Sequence, residues 1–202
     1  MTVLDRIAPA SLRERNIPVL ETGRLALRPP RLEDAGALAT LANDRRIAEN
    51  TLRLPHPYTL ADAQAFITTA NAGDDETVFL ITARSGAILG ACGIAALDGE
   101  TPEIGYWLGV PFWGKGYATE AARAIIDHAF GDLGYDLLLG GARVSNPASR
   151  RVLEKCGFQW TGVGLYRIRA IRSSAPVDRF RLDRGLWASI KSWGRDIVVS
   201  ST

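Results

Sequence analysis

Residues 102–144 constrain the fold most, because they read as two strands joined by a helix. Glu103-Ile-Gly-Tyr-Trp-Leu-Gly-Val110 carries aromatic and branched residues suited to a pleated, buried surface. Pro111 has no N–H to donate, so ladder pairing is expected to fail there. Gly114 and Gly116 then permit positive φ and close backbone approach. Apolar residues recur at helical spacing from Tyr117 to Phe130, and a second strand-like run covers Tyr135–Val144. The segments Pro102–Val110, Tyr117–Leu133 and Tyr135–Val144 therefore form a β-α-β crossover, which demands parallel pairing between its strands.

The turn into that helix aims several N–H groups, and the positive end of a helix dipole, at one spot. Such a spot binds phosphate oxygens without a metal. Gly109-x4-Gly114-Lys115 approaches a Walker A loop, but Gly116 stands where a hydroxyl should hold Mg²⁺. A dinucleotide fingerprint fails because Thr119 occupies the third glycine position. A third reading takes Trp113-Gly-Lys-Gly-Tyr-Ala118 as a pyrophosphate loop, and a plain strand–turn–helix junction is the alternative to all three.

A second motif follows at Asn146-Pro-Ala-Ser149-Arg-Arg-Val-Leu-Glu-Lys-Cys-Gly157-Phe158. Asn146 suits a helix cap, Pro147 its first turn, and Gly157 its left-handed stop. In order and spacing the two motifs resemble the signatures of the GNAT acyltransferases: Gln/Arg-x-x-Gly-x-Gly/Ala, here lacking its first residue, then Asn-x-x-Ser/Ala with a helix ending in Gly-Phe. Thr22-Gly-Arg-Leu-Ala-Leu-Arg-Pro29 resembles the family's first strand, and Leu54-Pro-His-Pro-Tyr58 a loop of its RimJ/RimL-like branch. The resemblance spans roughly residues 22–188 and implies an α/β (α+β) mixed sheet, three layers α/β/α, around the central βαβ crossover.

Composition sets limits. A chain of 202 residues fits a single domain. Net charge of +2 is too small to argue for nucleic acid or an anionic membrane. No apolar run reaches the ~20 residues of a membrane span, and Met1–Leu20 lacks a signal-peptide core. Cys92 and Cys156 lack ligand spacing, so buried thiols in a reducing cytoplasm are expected, with no metal. The boundaries expected are an arm at 1–21 with a short helix over Ser11–Arg15, a domain at 22–188, and a helix and tail at 189–202. Helices are expected around Leu32–Glu49, Leu60–Asn71 (capped by Thr59), Pro147–Lys155 and Leu186–Trp193. Hairpins are expected at Thr77–Ala95 and Gln159–Asp183.

The resemblance implies acetyl-CoA as acetyl donor and a primary amine as acceptor, in a monomer or homodimer. Leu108 and Val110 would splay from the neighbouring strand and pair with the pantetheine arm. Trp113, Gly114, Lys115, Gly116, Tyr117, Ala118 and Thr119 would hold the pyrophosphate, Asn146 would border the cofactor, and Lys115, Arg150, Arg151 and Lys155 are candidates for the 3′-phosphate, with plain solvated cations as their alternative. Glu103 is the candidate general base, with a solvent-facing or arginine-paired glutamate as its alternative. Ser149 is the candidate proton donor to the departing sulfur, its alternative a serine bonded to local backbone. Two departures limit the likeness: Leu153 stands at the tyrosine position of many members, and Thr161 where RimL-like enzymes place an acid.

His128 beside an apolar stripe reads as core, and His56 lies in the loop that lines the acceptor side in relatives. Arg167, Arg169, Arg172, Arg179 and Arg181 read as a charged face or protected edge, or as an attraction for an acidic acceptor. An N-terminal amine titrates near about 7.7–8.0 and a lysine near about 10.4, so about a hundredfold more of the former is neutral at pH 7. That favours peptide N-termini over lysine side chains, with small-molecule amines as the alternative. Outside enzymes, a catalytically silent acyl-CoA-binding module is the rival.

Overall fold

A computed structural model describes residues 17–72, 76–96 and 101–196. The expected Ser11–Arg15 helix lies outside them. An eight-stranded mixed sheet has the order β1-β2-β3-β4-β5-β6-β8-β7. Strands β1 (Leu20–Glu21), β2 (Leu25–Arg28), β3 (Glu76–Ala83), β4 (Ile88–Ala95) and β5 (Glu103–Leu108) run as an antiparallel meander. Helix α4 (Tyr117–Gly131) then carries the chain to β6 (Leu137–Arg143), parallel to β5. Helix α5 (Pro147–Lys155) leads to the hairpin β7 (Gln159–Ile168) and β8 (Ser173–Asp183), which inserts β8 between β6 and β7. Helix α6 (Arg184–Asp196) closes the described chain.

Two clusters cover the two faces of the sheet. On one side Phe79, Ile104, Leu138 and Phe180 pack with Ala121, Ile125 and Ala129 of α4 and Leu153 of α5. On the other, Leu80 and Ala91 pack with Leu38 of α1 (Ala35–Ala42) and Ile67 of α3 (Leu60–Ala72). The chain is thus layered α/β/α. His128 is buried in the first cluster, its Nδ1 2.7 Å from Asp132 Oδ2 and its ring edge-on to Phe79.

Three expectations change. The helix expected over Leu32–Glu49 breaks at Asn43–Asp44. Asp44 caps a separate turn, α2 (Arg45–Ala48), by accepting from Arg46 N at 2.9 Å, and Asn43 Oδ1 accepts from Tyr58 N at 3.0 Å. Side chains that satisfy backbone donors outside a helix compete with its continuation. Leu20 and Glu21, expected in the arm, pair with Leu27 and Ala26. Arg179 and Arg181 occupy an interior strand, so neither guards an edge, and only β7 carries that exposure at this end of the sheet.

Candidate active site

Strands β5 and β6 pair only at Glu103↔Leu139 and Ile104↔Gly140, then diverge. Leu139 N donates to Pro102 O at 2.8 Å, which fixes the parity: even-numbered residues of β5 direct their backbone groups toward β6. Tyr106 and Leu108 therefore face an open gap with their hydrogen-bonding edge. The strand stops at Leu108, short of the expected Val110. Val110–Phe112 instead form a 3₁₀ turn containing Pro111, whose fixed φ suits that turn and not a ladder. The Leu108 carbonyl accepts from Trp113 Nε1 at 2.7 Å, so it is already committed, and Val110 lies off the strand edge.

Beyond the turn, Gly114 (φ 73°) and Gly116 (φ 80°) adopt left-handed conformations, and α4 starts at Tyr117. The first N–H groups of a helix lack intrahelical partners. Among the described residues none of the N–H groups from Gly114 to Thr119 meets another backbone acceptor outside the helix. The loop is fastened from the turn before β2: Arg24 donates to Lys115 O at 3.0 Å and to Glu120 Oε2 at 2.7 Å, and its guanidinium stacks 4.6 Å over Tyr117. Thr22 Oγ1 donates to Glu120 Oε1 at 2.6 Å. Burial by itself would raise the Glu120 carboxyl, but the bonds from Thr22 and Arg24 hold it below the usual carboxylate value. The Lys115 ammonium sits 6.0 Å above the Phe112 ring.

The second motif folds as its residue types require. Asn146 Oδ1 accepts from Ser149 N at 3.2 Å, Pro147 takes the first turn, and Gly157 ends the helix at φ 92°. Replacing Asn146 by Ala should cost about 1 kcal/mol of stability by orphaning that N–H, read from denaturant unfolding. Ser149 Oγ is not spent on local backbone. It lies 3.0 Å from the Tyr106 hydroxyl, which also donates to Ser149 O at 3.1 Å. Burial pushes the Tyr106 phenol well above its ordinary value, so it stays protonated at any physiological pH. Arg150 stays 44% exposed but donates to Glu154 (2.9 Å) and Asp178 (3.3 Å), so both contacts compete with the expected phosphate.

Side chains alternate along β5. Ile104 and Tyr106 pack toward α4 and α5, whereas Trp107 packs toward α1 and α3. Glu103 therefore opens on the face opposite Ser149. Its two oxygens accept from Arg179 Nη1 at 2.8 Å and Nη2 at 2.7 Å, the arginine-paired arrangement. The pair bridges from β5 to β8 across the intervening strand, over Gly141. A Cβ there would come within 2.9 Å of Arg179 Nη1 and 3.3 Å of Glu103 Oε1. A carboxylate offers about four lone-pair sites, so Glu103 can still hold a water while bound to Arg179. One cleft of about 1210 Å³ is lined from both faces of the sheet, by Leu54, Tyr58, Phe66 and Glu103 on one and by Tyr106 and Ser149 on the other.

The sequence did not single out Arg24, Glu120, Tyr106 or Arg179 for the parts they take here. Only Tyr106 carried a usable signal, since its side chain falls on the same face as buried Ile104 and Leu108 and yet bears a hydroxyl that needs a partner. No group of His, Cys, Asp and Glu among the described residues could hold a metal ion.

Comparison with known proteins agrees with this geometry. The chain is 31% identical over 150 residues to the uncharacterized N-acetyltransferase p20 of Bacillus licheniformis, covering 71% of this chain and 84% of that one. Its fold matches the microcin C7 self-immunity acetyltransferase MccE, solved with acetyl-CoA and AMP (TM-score 0.70, 24% identity, 80% of this chain and 93% of that one). It also matches the spermidine N-acetyltransferase of Vibrio cholerae, solved with CoA and spermine (TM-score 0.71, 19% identity, 83% and 99% coverage). The family model for the acetyltransferase (GNAT) domain matches residues 24–159. With two-thirds of its length inside that model, the chain belongs to the GNAT acetyltransferase family.

Proposed function

We propose that this N-acetyltransferase moves the acetyl group of acetyl-CoA to the α-amine of a peptide N-terminus by direct transfer within a ternary complex. The observation that carries the reading is the splayed β5–β6 gap, with a loop of free N–H groups on one face and Glu103 on the other. The N–H groups of Gly114–Thr119 hold the pyrophosphate, helped by the α4 dipole. The β6-facing edge of Tyr106, with the Leu108 N–H, orients the pantetheine arm, in place of the committed Leu108 carbonyl. Lys115 adds a cation beside the phosphates, and Arg150 reaches the 3′-phosphate only by leaving Glu154 and Asp178.

An ammonium has no lone pair, so Glu103 takes a proton from the incoming amine, directly or through one water. The neutral amine attacks the thioester carbonyl, and the C–S bond then breaks. Ser149 gives its proton to the departing sulfur and recovers the one that the attacking nitrogen sheds on becoming an amide, relayed by water in the cleft, while the Tyr106 phenol, held protonated by burial, orients the Ser149 hydroxyl. Direct transfer is favoured because the cleft offers no ready thiolate. Burial pushes the Cys92 thiol far up, and Cys156, outside the cleft, is pushed up to about 11. A polyamine such as the spermine held by the Vibrio relative would need uncommitted carboxylates, and here Glu103 and Glu76 each face an arginine.

Thiol release from acetyl-CoA, measured against N-terminal peptides, lysine side chains, polyamines and aminoglycosides, tests the reading. N-terminal peptides should give the highest kcat/KM, and a faster lysine or polyamine would reject the acceptor assignment. Ser149→Ala should lower kcat about tenfold with acetyl-CoA affinity unchanged, because its hydroxyl matters as charge develops on sulfur. Full activity in that variant would remove Ser149 from the chemistry.

A further inference from the structure

The charges lining the cleft are unevenly committed. Its carboxylates are Asp62, Glu76 and Glu103, and its guanidiniums are Arg53, Arg143, Arg169 and Arg179. Glu76 pairs with Arg53 at 2.5 Å and Glu103 with Arg179 at 2.7 Å. Asp62 accepts from the Thr59 N–H at 2.9 Å and hydroxyl at 2.6 Å, and its charge also feels Arg169. Arg143 stands apart. Among the described residues its side chain makes one hydrogen bond, from Nη1 to the neutral Glu49 carbonyl at 2.6 Å, and the Glu49 carboxylate itself is taken by Arg45 at 2.5 Å. Its Nε is buried without a partner among the described residues.

Nε is closed off from solvent, so an anion in the cleft meets the terminal nitrogens of the guanidinium. A half-buried guanidinium with no carboxylate partner among the described residues is costly unless something anionic meets it. Arg143 shares the cleft-lining face of β6 with Gly141, over which the Glu103–Arg179 pair crosses. Two residues of strand separate the positions, about 7 Å. Arg169 also lines the cleft, its backbone N–H tying the β7–β8 turn to Leu52 O at 3.0 Å, and adds a second positive charge.

We infer that the acceptor carries an anionic group, a carboxylate within about 7 Å of the reacting amine, and that Arg143 recognises it. The inference rests on the amine-acetyltransferase reading above and narrows its acceptor to acidic amines, such as a peptide with Glu or Asp beside its N-terminal residue. Free lysine side chains flanked by basic residues, and polyamines, are disfavoured by the same field.

The test compares two peptides, Ser-Glu-Ala-Ala-amide and Ser-Gln-Ala-Ala-amide, which differ in one charge and not in shape. At low ionic strength the Glu peptide should have kcat/KM at least about tenfold higher, the size of a single charge-assisted contact. Arg143→Gln should remove that preference while leaving the Gln peptide's rate within about threefold. Calorimetry of the N-acetylated forms of both peptides on CoA-saturated protein reads the same preference without catalysis, and needs no variant. Both peptides acetylated equally, with equal binding of both products, would overturn the anion site and leave the acetyltransferase reading standing. Acetylation of neither, with the Glu product still bound more tightly and the preference lost in Arg143→Gln, would support the anion site and reject the N-terminal reading.

Discussion

Glu103→Gln should lower kcat by about a hundredfold or more, the usual worth of a general base, with acetyl-CoA affinity within about twofold. Glutamine keeps the shape and one acceptor oxygen toward Arg179 but cannot take a proton. The acidic limb of the kcat profile should flatten with it. Arg179→Met separates base loss from loss of the ion pair, because it removes the partner and leaves the carboxylate. That variant should retain more activity than Glu103→Gln, despite the half-buried charge it strands. If instead both variants fall equally and both keep the wild-type pH profile, Glu103 serves only to anchor β5 to β8.

Gly116→Val should weaken acetyl-CoA binding by at least about tenfold, roughly 1.4 kcal/mol, with the fold retained. Gly116 caps α4 at φ 80°, a conformation that a β-branched residue adopts only with strain, and its Cβ would approach Arg24 Nη2 at 3.4 Å. That guanidinium holds the Lys115 carbonyl, so the substitution disturbs both the loop backbone and its fastening. Unchanged calorimetric affinity in a folded variant would move the pyrophosphate elsewhere.

The parts of this fold that local chemistry dictates were legible in the sequence. Pro111, Gly114 and Gly116 announced the strand–loop–helix junction, Asn146 and Gly157 delimited α5, and Thr59 capped α3, where it accepts from Asp62 N at 3.2 Å. The contacts that build the site's electrostatics were not legible, because they depend on strand order and not on periodicity. Arg179 reaches Glu103 only because β8 inserts beside β6 with Arg179 opposite Gly141, and because Gly141 leaves its face of β6 bare. Tyr106 reaches Ser149 only once α5 packs beneath β5. The break at Asn43 was missed for a related reason: its amide serves Tyr58 in a distant loop. Leu108 illustrates a partial success. Its place at the splay was anticipated, but the indole that occupies its carbonyl was not.

The central claim is direct transfer of acetyl from CoA to an α-amine across the β5–β6 gap. Initial velocities of thiol release, with acetyl-CoA and a Ser-Glu peptide varied together and the acetylated position read by mass spectrometry, test it most directly. A ternary complex gives intersecting double-reciprocal lines, with one N-terminally acetylated peptide formed per thiol released. Parallel lines from an acetylated enzyme intermediate, or thiol release without acetylation of the α-amine, would contradict it.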